Sequence, residues 1–283
     1  MLLSSICTMS LFVLLVPSQQ RNIISDWLLN VCAAAVVVVS VSILSRQKFK
    51  GLYGRTYGAV AIGLLLWFSA EMISTYENYW TTNSLVAARG PIASSPTALQ
   101  PSIADAIWLI GYGFFAYFLF RIMIHFSRSI KPRTLLLVGA VTGIVALMLT
   151  QSISYYYNTY PSRPMQESGG FNIIGTVSLF LHIEYPVLDL MLIIPALVTL
   201  STVKHGKLTS TPWLLISAAV LILAVGDIGS IYSSVLHLTD FLWVWKMFAT
   251  AGYLCIATSL FWYNRFFIFD PKRTTKIWQE SNR

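Results

Sequence analysis

The sequence predicts an all-α polytopic membrane protein: a helix bundle of seven transmembrane helices, plus an N-terminal apolar segment that is either an eighth helix or a signal segment. Three observations predict it. Of 283 residues, 56% are hydrophobic and 11% charged, where soluble domains carry about 25% charged residues. Apolar stretches of about 20 residues, the length that crosses a ~30 Å hydrocarbon core, recur along the chain. The basic residues gather in alternate loops between those stretches, as the positive-inside rule requires.

In order, the spans are 27–45, 58–79, 103–126, 134–152, 173–200, 212–235 and 240–262, set apart by Pro, Gly, Ser or charge clusters. Ahead of them, segment 1–20 is apolar over 2–17 but short. It lacks a basic start, and Val16-Pro17-Ser18 is compatible with a cleavage point, so signal peptide and extra helix both stay open. Arg46, Lys48, Lys50 and Arg55 follow the first span, whereas 80–102 carries only Arg89. Arg128, Lys131 and Arg133 then mark an inner loop, Arg163 stands alone in an outer one, and Lys204 and Lys207 mark the next inner loop. The bundle therefore occupies 21–262, and the tail 263–283, with Arg265, Lys272, Arg273, Lys276 and Arg283, is expected in the cytoplasm of a cell-membrane protein. Phe266, Phe267, Phe269 and Trp278 interleave with those bases, a composition suited to the membrane interface.

The net charge of +8 does not point to nucleic acid, because the basic residues lie in short loops rather than on one face. The expected partners are the lipid bilayer and a membrane or cytoplasmic protein. Cys7, Cys32 and Cys255 sit in apolar segments without CxxC spacing and read as small core residues. HExxH and HxxxH spacings, GxSxG, GxGxxG and a P-loop are all missing, so no metal, no catalytic residue and no enzymatic activity are expected, and the cofactor is open.

Ionisable side chains inside spans cost about 2.5–3.5 kcal/mol each on insertion scales and mark functional candidates. They are Glu71, Asp105, Arg121, His182, Glu184, Asp189, Asp227 and Lys246. Residues three, four and seven apart share a helix face. On that count Trp67, Glu71, Ser74 and Asn78 form one stripe, and Asp105, Trp108 and Tyr112 another. His182, Tyr185 and Asp189 form a third, Asp227, Ser230 and Ser234 a fourth, and Asp240, Trp243, Lys246, Thr250 and Tyr253 the longest. Such stripes imply an inward-facing polar and aromatic cavity in the outer half of the bundle, with Pro186 kinking the fifth span beside it. The ligand-cavity candidates are Glu71, Asp105, Trp108, Tyr112, His182, Glu184, Asp227, Asp240, Trp243 and Lys246. Buried charges also serve as structural glue. Lys246 with Glu71 or Asp227 fits that reading, and Arg121 with Asp189 fits it best as an ion pair of the inner half.

The run Pro101-Ser102-Ile103-Ala104-Asp105-Ala106-Ile107-Trp108-Leu109-Ile110-Gly111-Tyr112 resembles the PS-x-AD-x-x-WL-x-x-Y signature of multi-helix membrane sensor domains. Those domains stand N-terminal to diguanylate cyclases and histidine kinases in prokaryotes. Trp67 through Glu71, Tyr185 through Asp189, Gly226-Asp227 through Tyr232, and Asp240, Trp243, Gly252 and Tyr253 match the same pattern in the same order, over roughly residues 60 to 255. The resemblance implies a seven-helix input domain that perceives an extracytoplasmic or intramembrane signal. The chain departs from it by ending about twenty residues after the last span, so no output domain is expected, and Lys246 falls outside the signature.

The expected function is a sensor or receptor-like membrane protein that relays its signal to a separate partner. The alternative is a non-catalytic structural subunit of a larger membrane complex. A retinal photoreceptor is disfavoured because Asp240 precedes Lys246 by six residues rather than four, and a transporter because the sequence shows no internal duplication.

Overall fold

The structure, a computed structural model, describes residues 2–47, 51–89, 102–126, 132–159, 173–203, 210–235 and 238–265. Its elements are α1 (Leu2–Leu15), α2 (Ser18–Gln47), α3 (Gly51–Arg89), α4 (Ile103–Phe126), α5 (Pro132–Thr159), α6 (Ile173–Thr202), α7 (Thr211–Val235) and α8 (Leu242–Tyr263), with a 3₁₀ turn at Thr239–Phe241 ahead of α8. The fold is all-α. Seven of the helices, α2 to α8, are long and apolar enough to cross a membrane. Helices are the solution lipid imposes, since each satisfies its own backbone polar groups.

The N-terminal apolar segment is a helix, but its 14 residues span about 21 Å at ~1.5 Å per residue, short of a hydrocarbon core. It packs against α2 and α8, and the Arg21 side chain donates to the carbonyls of Val16 and Leu14 at 3.0 Å, holding the turn between α1 and α2. Helix α3 outruns its expected end at 79 and continues to Arg89, because no helix breaker occurs before Gly90-Pro91. Helix α6 runs unbroken through Pro186 and Pro195. The expected loops around Lys48, Lys131, Arg163, Lys204 and Lys207, and the tail from Phe266 onward, lie outside the described residues.

Six helices close a ring in which each touches its two neighbours, in the order α2, α3, α4, α6, α7, α8 and back to α2. Helix α5 stands outside the ring against α6 and α7, with only 11% of its apolar window buried where the ring helices have 39% to 56%. Leu135, Leu136, Leu137, Ile144 and Leu147 are exposed on it and suit lipid. The closest ring contact, α7 on α8, depends on small residues. A Cβ on Gly226 would lie 3.0 Å from the Trp245 carbonyl oxygen and 3.2 Å from the Ala249 nitrogen.

The ring interior is filled unevenly. Phe115, Phe118, Leu119, Leu64, Ile216 and Ile256 pack its middle, all under 2% exposed. At the end where α3 and α7 begin and α8 finishes, Tyr57 stacks on Tyr263 at 4.2 Å, and Trp213 stands edge-on to Tyr263 at 6.0 Å. That end is plugged by aromatic rings. The opposite end holds a cavity.

Candidate functional site

The cavity, about 170 Å³, is enclosed by five ring helices. Trp67 and Glu71 come from α3, Asp105, Trp108 and Tyr112 from α4, and Tyr185 from α6. Leu223, Asp227, Ser230 and Ile231 come from α7, and Ala249 and Tyr253 from α8. Its depth follows from helical rise: Asp105 lies in the first turn of α4 and Tyr112 two turns further in, about 10 Å deeper. The stripes read from sequence reappear as walls, because residues three, four and seven apart on α3, α4 and α7 point the same way.

Aromatic rings from α3, α4 and α6 form a continuous row along one side of it. Trp67 and Tyr112 meet edge-on at 5.1 Å between centroids, Tyr112 and Tyr185 at 6.4 Å, and Tyr185 and Trp108 at 6.3 Å. The Trp67 indole, 5% exposed, also stacks on Phe115 at 4.8 Å and an interplanar angle of 9°, so it is the floor of the cavity and the roof of the core. Gly111 makes that seat. A Cβ there would collide with the Trp67 indole ring.

The carboxylates divide by how much of their hydrogen-bonding capacity is used. Ser102 Oγ accepts the Ala104 N–H at 2.9 Å while Asp105 Oδ2 accepts the Ser102 N–H at 2.7 Å, the reciprocal bonds of a capping box at the start of α4. Asp105 Oδ1 accepts the Tyr185 hydroxyl at 2.5 Å. Both Asp105 oxygens are therefore committed to fixing α4 and tying it to α6. The Ser-x-x-Asp spacing in the signature-like run has this local physical reason.

Asp189, 1% exposed, accepts the Tyr112 hydroxyl on Oδ1 at 2.8 Å. A phenol has one proton. Its longer 3.3 Å approach to Asp227 Oδ2 therefore leaves Asp227 largely free to face the cavity. Glu71 makes no hydrogen bond or ion pair with any described residue, although Asp227, Asp26 and Lys246 are all within its electrostatic reach. Asp189 Oδ2 is buried without a hydrogen-bond partner, but Asp189 is not in the lining; Glu71 and Asp227 are the under-used carboxylates that face the cavity.

Several expectations are corrected. Lys246 pairs with neither Glu71 nor Asp227; its Nζ lies 2.5 Å from Asp26 Oδ1, joining α8 to α2 behind the cavity wall. The Arg121–Asp189 pair is not formed among the described residues, since Arg121 is exposed and Asp189 turns to Tyr112. Helix phase separates the two: Arg121 follows Tyr117 and Ile124 onto the outer surface of α4, while Asp189 shares the inner face of α6 with Tyr185. Asp240 is exposed in the 3₁₀ turn, and Trp243 lies outside the cavity with the Arg21 guanidinium 5.8 Å from its ring centroid. Glu184 also lies outside the lining, and the side chain of His182 is outside the described residues.

Sequence reasoning missed Asp26, which belongs to a polar row Asn22, Asp26, Asn30 at intervals of four on α2. The same row supplies the Asn30 Nδ2 bond to Thr75 Oγ1 at 2.8 Å. It also missed Trp245, whose Nε1 donates to Ser233 Oγ at 2.6 Å and pins α8 to α7. Among the described residues no group of three or more His, Cys, Asp or Glu side chains is placed to hold a metal ion. Compared with protein families, curated proteins and solved structures, the chain has no significant match.

Proposed function

We propose that the chain is a membrane-embedded sensor or receptor-like protein whose cavity takes a ligand from the extracytoplasmic side and relays its presence to the cytoplasmic end. The carrying observation is the aromatic column between the two. From the cavity floor, Trp67 stacks on Phe115, Phe115 meets Phe118 at 6.1 Å, Phe118 meets Tyr57 at 5.8 Å, and Tyr57 stacks on Tyr263. Trp67 and Tyr57 are 10 residues apart on one helix, about 15 Å, so the column crosses about half of a ~30 Å bilayer core. Close-packed rings transmit displacement because they have no free volume to absorb it. The positive-inside pattern of the basic loops supports a cytoplasmic Tyr57 end in this reading, together with the C-terminal end of α8.

A test needs no knowledge of the ligand. Glu71→Gln removes a charge from the cavity, and in lipid nanodiscs it should change hydrogen exchange around Tyr57 and Tyr263 at unchanged abundance. If abundance collapses, or exchange changes only near position 71, the cavity is structural and the relay is refuted.

A second reading, a non-catalytic subunit of a larger membrane complex, is favoured by one observation: α5 stands outside the ring with nearly all of its surface open. Fixed-stoichiometry co-purification of another membrane protein would support it.

A further inference from the structure

We infer that the cavity binds a small organic cation, an ammonium compound carrying a hydrogen-bond acceptor. This rests on the reading of the cavity as a ligand site and adds the chemical class of the ligand. Two features of the walls converge on it.

The first is charge without a counter-charge. Glu71 and Asp227 line the cavity with Asp105, among rings, aliphatic side chains and the hydroxyls of Tyr112, Tyr185, Ser230 and Tyr253, and none of the described lining residues is basic. The one ammonium nearby, that of Lys246, is held by Asp26. Two half-buried carboxylates without a basic partner favour a positive charge, since drawing a charge out of water without a partner is costly.

The second is the row of rings. Faces of Trp and Tyr attract cations, and cages of them recognise quaternary ammonium groups, whose charge is spread over methyls that also fill apolar space. A bare metal ion is the poorer occupant. No described group of three ligands would hold it, and about 170 Å³ is far more room than it needs. A cavity of ~150 Å³ accepts benzene, so the ligand has on the order of six to ten non-hydrogen atoms. The acceptor is assigned from the hydroxyl-bearing side chains of the walls, Ser230 and Tyr253.

The experiment titrates the full chain in nanodiscs with three probes, following tryptophan fluorescence and heat: choline, tetramethylammonium, and 3,3-dimethylbutan-1-ol, the uncharged isostere of choline. Choline is expected to bind most tightly, tetramethylammonium next, and the alcohol at least about tenfold more weakly than choline. Glu71→Gln with Asp227→Asn should weaken choline by about tenfold or more and leave the alcohol unchanged. Should that double variant fail to fold, the choline-to-alcohol ratio in the unmodified chain decides alone. Equal binding of choline and the alcohol overturns the cation assignment while keeping a ligand cavity. Absence of binding by both cations at millimolar concentration overturns it too. The exchange relay from Glu71 to Tyr57 is measured without any ligand, so its failure is separately visible.

Discussion

Breaking the Lys246–Asp26 ion pair tests the electrostatic layout of the site most directly. The pair is short, 2.5 Å, and its side chains are 23% and 16% exposed. At an effective dielectric of about 20, unit charges about 4 Å apart attract by ~4 kcal/mol, and the desolvation of both ions offsets much of that. Removing one partner of a fully buried pair costs about 3–5 kcal/mol because the other is left uncompensated. Here the partial exposure lowers the figure. Lys246→Met strands Asp26 and should destabilise by about 2–3 kcal/mol. Asp26→Asn strands a flexible ammonium that can turn toward Glu71, so about 1–2 kcal/mol is expected. The double variant should recover, leaving a coupling energy of about 2 kcal/mol. Reversible unfolding of the solubilised full chain, run on all four proteins, gives the cycle. Single-variant effects that add to within about 0.5 kcal/mol in the double variant would refute the pairing and the argument that it withholds Lys246 from the cavity.

Four further outcomes follow from the same geometry. Asp26→Asn, although it changes no lining residue, should weaken choline binding in the nanodisc titration, because the released Lys246 then competes for Glu71. Tyr112→Phe removes the hydroxyl that bonds Asp189 Oδ1 and should cost about 1–3 kcal/mol in the same unfolding assay; a loss below about 0.5 kcal/mol would show that Oδ1 finds another partner. Leu119→Ala in the ring core should cost about 2–5 kcal/mol, whereas Leu136→Ala on the outer face of α5 should cost under about 0.5 kcal/mol unless α5 is covered by a partner protein. Gly111→Ala drives a methyl into the Trp67 indole; it should shift the tryptophan emission and perturb exchange at Tyr57, and an unchanged spectrum would remove Trp67 from its role as cavity floor.

Much of the cavity was legible because helix periodicity alone assigns faces. Glu71 with Trp67, Asp105 with Trp108 and Tyr112, and Asp227 with Ser230 each fall on one stripe, and each stripe became a wall. Periodicity carries no information on which stripe meets which. Lys246 sits on a polar stripe with Tyr253, yet only Tyr253 reaches the cavity, because the nearer half of that face abuts α2 and finds Asp26. Arg121 and Asp189 differ in depth as well as azimuth: Asp189 bonds Tyr112, nine residues and about 13 Å along α4 from Arg121, which faces outward. Asp105 looked like a ligand group by its position inside a span; local hydrogen bonding to Ser102 and Tyr185 consumes it first.

By itself the sequence determined the class, the number of membrane-length helices and the periodic faces, since lipid leaves a chain this apolar few alternatives to self-satisfied helices about 20 residues long. The tertiary structure alone decided that six helices close the ring while α5 stays outside it, that Asp26 takes Lys246, and that Glu71 and Asp227 are left facing an aromatic cavity. The physical reason is that hydropathy and helical repeat are properties of one segment. Pairing of charges, seating of a ring on a glycine and the closure of a cavity depend on the relative rotation of helices far apart in the chain, which is settled only when they pack.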